Sequence, residues 1–199
     1  MVVRWVAGAL VPLALGAGGA NSLAAESYQS QAGAVSVVTV ADGLEQPWGL
    51  AFLPDGRMLV TEKEGRLRLV APDGTLSEPL AGVPKVYDNG QGGLLDVALD
   101  PDFAANQLVY FSFAESGGEG GGTAVARGKL GAERLDNVEV IWRQQPKLDS
   151  GHHFGSRLVF LKDGTLIVTL GDRNRRQYIP DMKAQIGKLV RINRDGSIP

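Results

Sequence analysis

The 199-residue sequence predicts an all-β fold assembled from short antiparallel hairpins. Its 27 glycines sit mostly in turns between short β-like runs rather than in one low-complexity tract. A pattern of apolar strand, Asp-containing turn and second strand recurs at Gly49–Thr61, Leu95–Phe113 and Arg157–Thr169. A second module recurs as well: Gly65–Leu76 matches Gly187–Ile198, with Asp73-Gly74 and Asp195-Gly196 at the same offset. Two linked hairpins make a four-stranded antiparallel blade. The turn residues Asp55, Asp102 and Asp163 lie 47 and 61 residues apart, which are blade-sized periods once loops are allowed for. The expected architecture is therefore a β-propeller with about three blades present. A β-sandwich, the competing all-β solution, does not predict this repeated order of hairpins.

The elements follow in chain order. Residues 1–25 read as a secretory signal peptide: Arg4 supplies the positive start, Val6 to Ala20 form a short apolar run, and Ser22-Leu23-Ala24 or Leu23-Ala24-Ala25 offers the cleavage site. The mature protein is expected to be periplasmic or secreted, with no membrane span. Val35–Ala41 is expected to be an outer strand completing a last blade. Gly49–Thr61 and Gly65–Leu76 would then form one blade. Leu95–Phe113 continues through a flexible hairpin loop at Ser116–Gly122 into Thr123–Ala126. Arg157–Thr169 and Gly187–Ile198 open a third blade whose repeat stops at Pro199. Little helix is expected.

Composition excludes several classes of chemistry. With no cysteine the chain forms no disulfide, thiolate nucleophile or zinc-thiolate site, so stability rests on packing. A formal net charge of −2 offers no general attraction for nucleic acid or an anionic membrane. Gly128-Lys129 and Gly187-Lys188 both precede Leu, so no phosphate-cradling loop is present and nicotinamide chemistry is disfavoured. Asp96, Asp100 and Asp102 lack the spacing of a calcium loop.

The segment Ser150–Leu158 holds the only two histidines, His152 and His153. The strands after them, joined by a tight turn at Lys162-Asp163-Gly164, return the chain so that Asp172 ends beside the histidines. A carboxylate beside an imidazole fixes its tautomer, which suggests a base and its orienting partner. Beyond Gly171, seven Arg and Lys residues face only Asp172, Asp181 and Asp195, an excess suited to an anionic ligand or equally to a solvated loop. Arg157 reads as structural, pairing with a loop carboxylate, and Trp48 as core.

Taken together, Gln46-Pro47-Trp48-Gly49-Leu50, Gly90-Gln91-Gly92-Gly93-Leu94-Leu95, Asp100-Pro101-Asp102-Phe103, His153 to Leu158, Gly171-Asp172 and Gly187 to Pro199 resemble the soluble pyrroloquinoline quinone (PQQ)-dependent glucose/sorbosone dehydrogenases. The resemblance covers residues 44 to 199. It implies a six-bladed propeller of about twice this length, with residues 26–199 as its N-terminal part and the chain inactive and self-associating by itself. It also implies oxidation of the anomeric C–OH of an aldose, with hydride passing to PQQ while a histidine takes the hydroxyl proton. By that resemblance His153 is the base, Asp172 its partner, and Gln91, Gln177 and Arg157 line the substrate and cofactor pocket. Ca²⁺ bound to the quinone, and most quinone contacts, would come from later blades. The implied partners are a sugar and an electron acceptor. His152 stands where relatives usually carry Asn or Asp, so either histidine could face the pocket. A non-catalytic exported propeller binding sugar or protein through its loops is the alternative, and a metal hydrolase is weaker still for want of an Asp/Glu/His cluster.

Overall fold

Alternating side-chain direction along each strand decides which faces become buried. The computed structural model describes residues 26–118 and 120–199, so the expected signal peptide lies outside the described residues. The chain divides into two units, Met1–Thr39 and Val40–Pro199. In the first, β1 (Glu26–Ser30) and β2 (Gly33–Val37) form an antiparallel hairpin with every residue exposed. The strand expected at Val35–Ala41 thus ends at Val37, and its sheet has two strands. Pairing across a two-residue turn closes the shortest loop available, which is the cheapest route entropically.

The second unit contains three successive antiparallel sheets, the blades of a partial β-propeller. The first is β3 (Pro47–Phe52), β4 (Met58–Glu62) and β5 (Arg66–Val70). The second is β6 (Leu94–Leu99), β7 (Leu108–Gly117), β8 (Gly120–Leu130) and β9 (Leu135–Arg143), with a one-turn helix α1 (Phe103–Asn106) between β6 and β7. The third is β10 (Gly155–Phe160), β11 (Leu166–Leu170) and β12 (Leu189–Ile192). Only the middle sheet has the four strands that two linked hairpins predict. In the first blade, residues 76–80 follow β5 irregularly: Leu76 bridges Val70, and the amides of Ser77 and Leu80 bond the carbonyls of Leu69 and Leu67.

The middle blade is covered on both faces. Phe111, Phe113, Ala124 and Ala126 pack with Leu59, Leu67 and Leu69 of the first blade. The alternate residues Tyr110 and Val125, with Trp142, pack with Leu158, Leu166, Val168 and Ile192 of the third. The outer faces stay open: Leu50 and Phe52 on β3, and Val159 and Leu189 on β10 and β12, are exposed. Trp48, expected in the core, is partly exposed on the open side of β3.

The glycine tract departs from the flexible loop expected at Ser116–Gly122. Ser116 pairs with Gly121 and Gly117 with Gly120, so the tract extends the hairpin. A Cβ on Gly121 would enter the Tyr87 ring. Glycine stands there for close packing, not mobility.

Removing the Phe111 ring should therefore destabilise the protein by about 3–5 kcal/mol, whereas Phe52→Ser, at a residue 72% exposed, should stay within about 0.5 kcal/mol. Thermal unfolding checks the pair, and equal costs would contradict this burial pattern.

Candidate active site

The site is assembled by the ends of β6, β10 and β11. Gly155 pairs with Leu170, with a bulge before Leu158, so the segment entering β10 and the segment leaving β11 emerge side by side. His153 and Asp172 are brought together there, with His153 Nδ1 2.6 Å from Asp172 Oδ1. Gly171 makes the approach possible, because a Cβ at that position would collide with the His153 carbonyl. His153 itself is held at φ 50°, in the left-handed region that a β-substituted residue rarely adopts.

Gln91 joins the same group from the turn before β6. Its side-chain Oε1 accepts the His153 amide at 2.7 Å, and its own amide donates to the Gly151 carbonyl at 2.7 Å. The two loops are thus stitched together, and among the described residues the amide nitrogen of the Gln91 side chain makes no hydrogen bond. His152 is exposed and edge-on to His153, with ring centroids 6.0 Å apart. Its amide bonds Ser150 Oγ, and it makes no hydrogen bond to Asp172. Of the two histidines, only His153 has the carboxylate partner.

The electrostatics are simple. The His153 ring and the Asn174 amide, which donates to Asp172 Oδ1 at 2.9 Å, hold the Asp172 carboxyl below the usual carboxylate range. A carboxylate on Nδ1 assigns the ring proton to that nitrogen and leaves the Nε2 lone pair outward. The His153 side chain is 51% exposed and that of Asp172 22%. The pair therefore presents a proton acceptor at an open surface with its orienting carboxylate behind it.

Arg157 and Gln177, both expected at the pocket, make no hydrogen bond to the His153–Asp172–Gln91 group. Arg157 bonds Asp96 Oδ1 through Nη1 at 2.6 Å and lies over the Trp48 ring at 5.0 Å. Asp96 is buried and also accepts the Leu158 amide at 2.7 Å. Burial pushes the Asp96 carboxyl up despite these two donors, so its guanidinium neighbour compensates a buried charge. Gln177 lies on an exposed one-turn 3₁₀ helix (Arg176–Tyr178) and makes no hydrogen bond to His153, Asp172 or Gln91.

One residue at the site was not legible in the sequence. Arg173 is 0% exposed. It donates to the carbonyls of His152 (2.9 Å), Gly121 (2.9 Å) and Ser150, and its guanidinium lies 3.5 Å from the centre of the Phe154 ring. Burial draws its pKa down to about 10. In the sequence it is one of several loop arginines, and nothing separates it from the exposed Arg176.

A family model described as Glucose / Sorbosone dehydrogenase matches residues 44–199. The chain belongs to that family. It is 46% identical over 169 residues to the aldose sugar dehydrogenase YliI of Escherichia coli strain K12, covering 83% of this chain and 46% of that protein. A crystal structure of a glucose dehydrogenase shares 52% identity with a TM-score of 0.77, over 80% of this chain and 48% of the other. The PQQ-bound aldose sugar dehydrogenase of Streptomyces coelicolor shares 33% identity with a TM-score of 0.71, over 79% and 47% of the two chains. The chain therefore spans about half the length of these relatives.

A cofactor fit can be judged on the residues present. PQQ is a polyanionic quinone, and an open imidazole whose partner Asp172 feels the charge of the exposed Arg176 suits a ligand of that charge. Among the described residues no group of three His, Asp or Glu side chains is placed to hold a metal ion. No helix among them is long and apolar enough to cross a membrane.

Two expectations follow. Gly171→Ala should destabilise the protein by about 1–3 kcal/mol through overpacking against His153, measured by denaturant unfolding. Neutral stability would show that the close approach is dispensable. The second concerns pH: because the folded-state pKa of Asp172 is lowered, its stabilising contribution is complete above the unfolded value of about 4 and is lost as pH falls through the folded value. Asp172→Asn should thus be less stable than wild type near neutrality, with the deficit shrinking on acidification. A deficit independent of pH would contradict the pairing.

Proposed function

We propose that this chain is the N-terminal part of an exported PQQ-dependent dehydrogenase that oxidises the anomeric C–OH of aldose sugars. The observation that carries the reading is the His153 Nδ1–Asp172 contact of 2.6 Å at an open loop cluster. Family membership supports the sugar dehydrogenase class, and the signal-like residues 1–25 support export.

The chain's own residues take the proton-handling part. His153 Nε2 removes the proton of the anomeric hydroxyl as C1–OH becomes C1=O. Asp172 holds the ring by its Nδ1–H and lies where positive charge develops when the imidazole is protonated. Gln91 fixes the His153 main chain through Oε1 and offers its side-chain N–H groups to a sugar oxygen. Bound PQQ would supply the two-electron acceptor for the hydride leaving C1. Arg175 and Arg176 would attract an anionic ligand to this end of the blades.

In the full-length protein reconstituted with PQQ, His153→Ala should lower kcat for dye-coupled aldose oxidation by about 10²- to 10⁴-fold, the range of a lost general base. His152→Ala should stay within about tenfold of wild type. Undiminished activity in His153→Ala, or sugar binding with no quinone-dependent turnover in wild type, would overturn the proposal.

A further inference from the structure

Arg173 heads the fully buried large side chains, and among the described residues no carboxylate pairs with it. A buried cation is costly to hold without a counter-charge, and this one is satisfied by main-chain oxygens and the face of Phe154 alone. Two of its three carbonyls, Ser150 and His152, belong to the loop that ends in His153. The third, Gly121, belongs to β8 of the neighbouring blade. The rigid guanidinium fork therefore ties the histidine loop to a strand buried on both faces.

The loop needs such a tie. His153, Ser156 and Arg173 lie at φ 50°, 86° and 52°, so the segment has easier backbone conformations open to it. Arg173 also follows Asp172 directly. Its side chain anchors one end of the His153–Asp172 pair through space and the other through the chain.

We propose that Arg173 is a positioning residue, whose three carbonyl bonds keep the His153 ring in register with Asp172. Its catalytic consequence rests on the reading of His153 as the base, whereas its structural consequence does not. Lysine is a poor substitute, since a single ammonium on a flexible stem does not reproduce the planar fork that spans three carbonyls.

The test compares wild type with Arg173→Lys and Arg173→Met in the full-length protein. Histidine-selective ¹⁵N NMR without quinone reports the His153 tautomer, and the signals lost in His153→Gln and in His152→Gln assign the two histidines of this loop. Wild type should show one Nδ1-protonated form, and both variants should show averaged ring-nitrogen shifts. With PQQ and aldose, kcat should fall about 100-fold in Arg173→Met with KM changed less than about threefold, and Arg173→Lys should fall between. An unchanged tautomer signature with kcat within about twofold of wild type in Arg173→Lys would overturn the proposal. Should Arg173→Met fail to fold, the lysine variant, which keeps the charge and most of the volume, decides alone. If wild type shows no quinone-dependent turnover, the functional reading fails, while the NMR comparison still decides the role of Arg173.

Discussion

The two faces of the middle blade set the geometry on which the site depends. Phe111 and Phe113 commit one face of β7 to the first blade, and Tyr110 commits the other to the third. Apolar burial of this kind is strong but non-directional. It holds three sheets against one another and so brings the ends of β6 and β10 close enough for Gln91 to reach the His153 amide. Strands covered on both faces become near-continuously buried, as β7 and β8 are, whereas β10 alternates buried and exposed residues.

Direction comes from the polar seams between blades. Thr61 accepts the Gly49 amide within its own blade and donates to the Leu95 carbonyl of the next at 2.5 Å. Ser112 takes the Asp96 amide at 3.0 Å and donates to the Ser156 carbonyl at 2.7 Å. Asp96 then holds Leu158 and Arg157. These Thr61, Ser112 and Asp96 atoms are satisfied together only when the blades sit in one register, because a slip would strand a donor or carboxylate away from water. At the far end of the seam Arg194 reaches Asp102 at 2.7 Å and Asp100 at 3.2 Å.

Asp172 and Arg173 show how one short loop divides two tasks. The left-handed backbone at Arg173 and Asn174 turns the chain sharply. Asp172 faces the half-open imidazole, and its neighbour goes inward to the carbonyl cluster. A partly exposed carboxylate that accepts two hydrogen bonds keeps its charge easily. The interior cation keeps its charge because three oxygens and an aromatic face replace water.

The hairpins, the blade order and the nearness of Asp172 to the histidine pair were legible because they rest on local signals: period-two alternation, Asp-Gly turns and the return of a tight hairpin. The resemblance singled out His153 from His152, and the structure shows why local pattern could not: both are exposed neighbours, and long-range contacts with Asp172 and Gln91 distinguish them. Gln91 lies 62 residues from His153 in sequence, so its bond to the histidine amide depends on blade packing. The same holds for the glycine tract, which reads as a flexible loop until Tyr87 is seen against Gly121. Arg157 and Arg173 carry the same charge in the sequence. The carboxylate expected to pair with Arg157 is identified by tertiary structure as buried Asp96, and tertiary structure alone assigns Arg173 to a cage of carbonyls, since burial is a property of what surrounds a side chain and not of the side chain itself.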